Sequence, residues 1–105
     1  MSKKIIETQN APKPIGPYSQ AVQYGNMLFV SGQICLDPVS GQLVNTDIVT
    51  ETHQVMKNIG AILEAANSNF SNVIKTSIFV KDLQNFGTIN EVYGSYFQGA
   101  FPARE

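Results

Sequence analysis

Two short apolar segments near the start of the chain predict a β-hairpin. Residues 21–24 and 27–30 are separated by Gly25 and Asn26, a two-residue connection typical of a tight turn that needs positive φ. We expect the second strand to continue to residue 34 and to end at the turn-forming residues 37–41. Residues 5–6 are apolar and β-branched, and they predict a short leading strand.

Further along, apolar residues recur at helical spacing. A helix is predicted over residues 47–66, because Thr46 or Asp47 can cap its first N–H groups and residues 67–69 can end it. One face of this helix is apolar and suited to packing on a sheet. That face comprises Val55, Ile59, Ile62, Leu63 and Ala66.

The second half of the chain predicts one more strand and one more helix. The strand, over residues 73–81, has Ile74, Thr76, Ile78 and Val80 on one face. The helix, over residues 85–98, contains two glycines and must therefore depend on packing for its stability. Its buried face is expected to comprise Phe86, Ile89, Tyr93, Tyr96 and Phe97.

The order strands, helix, strand, helix indicates an α+β sandwich in which two helices cover one face of a mixed sheet. At 105 residues the chain is long enough for one core only, so residues 1–105 are expected to form a single domain.

Composition narrows the functional classes. Charged residues make up 14% of the chain, against about 25% in an average globular protein, which suggests that part of the surface contacts other protein. The formal net charge of −1 argues against a nucleic-acid partner. One cysteine, no signal peptide and no membrane-spanning segment indicate no membrane association and a cytoplasmic location.

Motifs for the commonest cofactors and metals are absent from the sequence. There is no phosphate-binding glycine-rich loop, and one His with one Cys cannot furnish a zinc site. His53 is expected to be solvated or packed at the edge of its helix, and Cys35 to be a buried or half-buried thiol. An enzyme of this sequence would therefore work without metal, cofactor or covalent triad.

Two polar residues in the second half of the chain are candidate ligand-binding residues. Arg104 is the only arginine, and its guanidinium is a rigid fork that matches a carboxylate; the alternative is a surface cation paired with a nearby acid. Asn90 lies on the apolar face of the second helix, where its amide needs a partner. That partner is either a strand backbone or a ligand.

Two further features lie around the hairpin. Gly16-Pro17 forces an extended or turn geometry, after which Tyr18 presents an apolar ring with a polar tip. Ser31-Gly32 lies at a strand end, where glycine allows a ligand to approach the backbone closely. Taken singly, both features are also compatible with a structural role.

Together these features resemble the Rid (YjgF) family, whose motifs are matched in order over nearly the whole chain. The matching segments are residues 15–21, 26–27, 30–34, 79–83, 89–93 and 101–104. The resemblance implies a chorismate-mutase-like fold assembled as a homotrimer, with ligand clefts between neighbouring subunits. It also implies a hydrolase that deaminates short 2-imino acids, such as 2-iminobutanoate and 2-iminopropanoate, to 2-oxo acids and ammonia.

The same resemblance implies residue roles. Arg104 would hold the substrate carboxylate and, with Tyr18, act in catalysis, and the other cleft positions are Ser31, Gly32 and Asn90. Water attacking an already electrophilic imine needs mainly positioning and polarisation, which accords with the absence of cofactor motifs.

Family members continue beyond the arginine through two more strands, with a glutamate near the end that helps to hold the attacking water. Glu105 does not occupy that position, so we expect a Rid-like domain truncated at its C-terminus. Two alternatives follow: a non-catalytic trimer that binds small carboxylates or regulates a partner, and a ribonuclease. The low content of basic residues argues against the ribonuclease.

Overall fold

A computed structural model describes residues 2–105 and contains five short strands and two α-helices. The elements are β1 (Lys4–Ile6), β2 (Ala21–Tyr24), β3 (Met27–Val30), α1 (Ile48–Ala65), β4 (Lys75–Thr76), α2 (Phe86–Gly94) and β5 (Ala103–Arg104). Single 3₁₀ turns lie at Phe70–Asn72 and Leu83–Asn85. The α+β class predicted from the sequence is confirmed.

The strands form two small sheets instead of the one mixed sheet that was expected. Strands β1, β2 and β3 form an antiparallel sheet in that order, and β4 pairs in parallel with β5. The hairpin prediction is confirmed, since Tyr24 pairs with Met27 across a two-residue turn in which Gly25 has φ +62°. The short leading strand is confirmed as well.

Two strand predictions were too long. Strand β3 ends at Val30, and the Ser31 amide makes one last in-register bond, to the Gln20 carbonyl at 3.0 Å. Of the strand predicted over 73–81, only Lys75–Thr76 has a strand partner within residues 2–105. The inward-facing side predicted for this segment is nearly correct, except that Ile74 is exposed and Val73 packs inward in its place.

Helix α1 begins and ends within one residue of its predicted limits. Asp47 caps it by accepting the Thr50 amide at 2.8 Å, and Asn67 ends it with φ +58°. Ile62 and Leu63 are buried. Ile62 packs on the inner face of the antiparallel sheet against Ile6 and Ala21.

Helix α2 is four residues shorter than predicted at its C-terminal end. Beyond Gly94 the chain tightens, because the Tyr96 and Phe97 amides bond to carbonyls three residues earlier. Tyr93 and Phe97 are buried against Met56 of α1. Phe86, which was expected in the core, is 39% exposed, since it lies at the first position of the helix beside Arg104.

The remaining predictions concern Cys35, His53 and membrane-spanning segments. Cys35 is buried, as predicted, and burial together with the nearby Glu51 carboxylate raises the pKa of its thiol. His53 is half-buried, with Nδ1 2.7 Å from the Tyr96 hydroxyl. Within residues 2–105, neither helix is long and apolar enough to cross a bilayer.

Candidate functional site

Arg104 lies against one face of α2. Its Nη1 donates to the Asn90 Oδ1 at 2.7 Å, and its guanidinium carbon is 5.4 Å from the ring centroids of both Phe86 and Tyr93. These three α2 residues are spaced four and then three apart, so they share one face of the helix. The guanidinium is therefore held by one hydrogen bond and two aromatic rings.

The rest of the guanidinium is open to a ligand. The residue is exposed, and no carboxylate of residues 2–105 forms an ion pair with it. Of the five N–H donors of an arginine, only one on Nη1 has a protein acceptor in this part of the chain. The surface ion pair considered from the sequence is thus not what holds Arg104, and the Asn90 amide bonds to a side chain instead of a strand backbone.

The pairing of β4 with β5 fixes the position of Arg104 in this site. Thr76 of β4 is the register partner of Arg104 in β5, and its hydroxyl lies 2.7 Å from the Tyr93 hydroxyl. Glu105 points to the other side of the strand pair, where it contacts Lys75 at 3.6 Å and accepts from the Ser77 hydroxyl at 3.1 Å. The one acidic neighbour of Arg104 along the chain is therefore kept away from the guanidinium.

Tyr18 and Ser31 form a second group, at the hairpin. The Tyr18 hydroxyl accepts the Ile15 amide at 3.4 Å, and half of the residue is exposed. The Ser31 hydroxyl donates to the Ser19 carbonyl at 2.6 Å, which joins the segment carrying Tyr18 to the end of β3. Gly32 follows in the exposed connection.

Two buried amides hold the loops that carry this second group. Gln20 accepts the Thr8 amide at 2.7 Å and donates to the Pro12 carbonyl at 2.9 Å, which fixes the segment leading to Tyr18. Asn58 of α1 donates to the carbonyls of Ile34 and Leu36 at 3.0 and 2.9 Å, which fixes the segment following Gly32. Unpartnered carbonyls in such places would cost about 1–3 kcal/mol each.

At Gly32, nothing within residues 2–105 requires a glycine. A Cβ at this position would meet no atom within 4 Å, and its φ is not positive. Gly25 and Gly41, by contrast, have the positive φ that favours glycine.

The five residues singled out from the sequence thus form two groups. Arg104 and Asn90 are in direct contact, whereas no hydrogen bond within residues 2–105 joins them to Tyr18, Ser31 or Gly32. Residues 2–105 also contain no cluster of three His, Cys, Asp or Glu side chains able to hold a metal ion.

Several supporting residues were not predicted from the sequence. Phe86 and Tyr93 were assigned to the core alone, although their spacing from Asn90 indicates one shared helix face. Asn58 lies four residues before Ile62 on the apolar face of α1, so the reasoning applied to Asn90 would have identified it. Thr76 could not be found, because its role depends on strand register.

Comparison with known proteins gives consistent matches over the whole site. Residues 8–105 match the family model described as endoribonuclease L-PSP. The chain is 53% identical over 102 residues to the mouse 2-iminobutanoate/2-iminopropanoate deaminase, covering 97% of this chain and 76% of the mouse protein.

Solved structures of related proteins also match the chain closely. A member of the conserved Rid protein family from Yersinia pestis has a TM-score of 0.95 at 46% identity, covering 98% of this chain and 82% of that one. The structure of Escherichia coli TdcF with bound serine has a TM-score of 0.92 at 43% identity, covering 97% and 82%.

Proposed function

The chain belongs to the Rid (YjgF) family, and on this premise we propose that it is a 2-iminobutanoate/2-iminopropanoate deaminase. The reaction adds water to the C=N bond of a short 2-imino acid and releases the 2-oxo acid and ammonia. The observation that carries the proposal is the Arg104 guanidinium, fixed on one side by Asn90 and two rings and open on the other.

Arg104 would bind the group that all such substrates share. A 2-imino acid carries a carboxylate next to the reacting carbon, and a guanidinium binds a carboxylate through two parallel N–H···O bonds. Because Asn90 uses only one N–H, the donors on Nη2 and Nε remain for the substrate. The serine bound in the related TdcF structure also carries a carboxylate.

Tyr18 would act on the imine nitrogen. Its hydroxyl oxygen accepts the Ile15 amide, so its own proton remains free to be donated to a ligand. A hydrogen bond to the imine nitrogen draws electrons from the carbon and favours attack by water. Holding the substrate carboxylate and the imine nitrogen at once would orient that carbon for the attack.

The two groups of site residues would meet in a homotrimer. The outer face of the antiparallel sheet supports this assembly, since the paired residues Val22 and Phe29 lie there beside Ile5, and Phe29 is 60% exposed. An apolar sheet face of this kind is typical of an interface. The open space at Gly32 accords with a second subunit or a ligand approaching the backbone there.

Other activities are less well supported. Although the matching family model is described as an endoribonuclease, RNA binding depends on clustered cations, and the chain has seven Lys and Arg against eight Asp and Glu. A non-catalytic trimer that binds small carboxylates would use the same Arg104 site. We place the protein in the cytoplasm, and its unpaired Cys35 accords with a reducing compartment.

The test generates the imine in place with a pyridoxal-phosphate threonine dehydratase and follows its disappearance. The chain is expected to accelerate hydrolysis, and Arg104→Ala to lower kcat/KM by about 100-fold or more, since a charge-assisted bidentate contact is lost. The control is Lys75→Ala, which removes a neighbouring exposed cation whose partner is Glu105.

Three outcomes separate the candidate functions. No acceleration by the wild-type chain, or equal rates for the two variants, would exclude the deaminase mechanism described above. Binding of 2-oxobutanoate without turnover would identify the non-catalytic alternative. Cleavage of RNA that persists through repeated purification would favour the ribonuclease.

A further inference from the structure

An arginine that binds substrate must be held in one orientation before the substrate arrives. Its side chain has several rotatable bonds, and Arg104 is exposed, so the surrounding protein has to restrict it. Asn90 fixes one nitrogen of the guanidinium, but a single hydrogen bond leaves the plane of the group free to rotate about it. The two aromatic rings at 5.4 Å supply the remaining restriction.

The two rings differ in how firmly they are held. Phe86 is 39% exposed at the start of α2, whereas Tyr93 is buried and packs on Phe97 with ring centroids 5.0 Å apart. Tyr93 is therefore the fixed wall of the arginine site. Its hydroxyl lies 2.7 Å from the hydroxyl of Thr76, which ties the far end of the ring to β4.

The bond between the Thr76 and Tyr93 hydroxyls completes a closed set of contacts that includes Arg104. Thr76 is the strand partner of Arg104, so their side chains leave the same face of the strand pair. The strand register fixes the position of Thr76. The Thr76 hydroxyl orients the Tyr93 ring, and that ring packs against the guanidinium of Arg104, the strand partner of Thr76.

We propose that Tyr93 and Thr76 are positioning residues for Arg104, whose hydroxyl–hydroxyl bond sets the orientation in which the guanidinium meets the substrate carboxylate. The inference rests on the proposed function, in which Arg104 binds that carboxylate. Neither residue needs to touch the substrate, so their effect should appear in carboxylate binding more than in the chemical step.

The alternative is that the bond merely stabilises the fold, and the turn that follows α2 provides a control for it. Tyr96 lies two residues beyond the end of α2, packs on Phe70 with centroids 5.4 Å apart, and has its hydroxyl 2.7 Å from a side chain of α1, His53. Tyr96 makes no contact with Arg104 among the interactions of residues 2–105. Removing its hydroxyl costs a comparable bond without affecting the arginine.

The experiment compares Tyr93→Phe and Thr76→Val with Tyr96→Phe and with Thr76→Ser, which retains the hydroxyl. The first two are expected to raise KM for the imino acid, and Kd for 2-oxobutanoate, about threefold to tenfold with kcat within about twofold, as for the loss of one hydrogen bond. Tyr96→Phe and Thr76→Ser should remain near the wild type in both constants. Binding of 2-oxobutanamide, which lacks the carboxylate, should be unchanged in all four variants.

The results separate this inference from the proposed function. If Tyr93→Phe weakens 2-oxobutanoate binding no more than Tyr96→Phe does, or weakens the amide equally, the positioning role is wrong while the deaminase remains. If the wild-type chain binds 2-oxobutanoate without turnover, the deaminase is wrong, and the binding series still decides the positioning role. Should Tyr93→Phe unfold, Thr76→Val removes the same bond from the opposite side, and its 2-oxobutanoate affinity decides the question. A wild-type chain that neither binds nor reacts overturns both.

Discussion

At the scale of single residues, Gly32 is informative because no contact within residues 2–105 requires a glycine there. Gly32 has neither a positive φ nor a neighbour that a Cβ would touch. Backbone entropy alone would favour alanine there. An open position of this kind accords with a ligand or a neighbouring subunit that approaches Gly32 in the proposed cleft.

We predict that Gly32→Ala leaves the free energy of unfolding of the chain unchanged or slightly raised but lowers kcat/KM for the imino acid. An added methyl group in a close-packed site costs about 1–3 kcal/mol, which corresponds to a loss of about fivefold to 150-fold. Gly87→Ala is the matched control, because its Cβ would also meet open space and its φ is not positive. Equal activity of the two variants would remove Gly32 from the site.

At the scale of elements, the start of α1 depends on one exposed carboxylate. Asp47 accepts the Thr50 amide at 2.8 Å and the Thr50 hydroxyl at 3.1 Å, and these bonds lower the pKa of its carboxyl. A carboxyl whose pKa is lower in the folded than in the unfolded chain stabilises the fold above its unfolded pKa. That contribution is lost as the pH falls through the folded value.

The pH dependence of one variant tests this cap. Asp47→Ala should melt a few degrees below the wild type at neutral pH, and this gap should close as the pH falls below about 4, the ordinary pKa of an aspartate. Glu7→Ala, which removes an exposed carboxylate outside the helix, should show no such gap at neutral pH. A gap for Asp47→Ala that persists undiminished in acid would mean that its charge does not cap the helix.

At the scale of the whole molecule, the antiparallel sheet is covered on only one of its faces within residues 2–105. Helix α1 covers the inner face of the antiparallel sheet, where Ile6, Ala21 and Ile62 are buried. The outer face, around Val22 and Phe29, is apolar and uncovered within residues 2–105. Together with the low charge content, this accords with the trimer proposed above.

Assembly can be tested with a charge on that face. Phe29→Lys should convert a trimer to monomers in analytical ultracentrifugation and abolish deamination, because a lysine cannot be buried unpaired in an apolar interface. Val39→Lys is the control, since Val39 is 94% exposed in the turn after β3 and away from the sheet. A trimer that survives Phe29→Lys would show that the sheet face is not the interface.

The sequence by itself determined the local elements of this protein. The hairpin at Gly25, the limits of α1 and the burial of Cys35 follow from turn chemistry, capping and apolar spacing, all of which act over a few residues. Arg104 and Asn90 were also identifiable, because a lone arginine and an amide on an apolar helix face are anomalies in the sequence.

Tertiary structure alone decided how distant residues meet. The strand predicted over 73–81 shrank to two residues because a strand needs a partner, and apolar alternation cannot say where one exists. For the same reason the sequence could not reveal that Thr76 holds Tyr93, which supports Arg104. Register and side-chain packing bring together residues far apart along the chain, and no local pattern records that proximity.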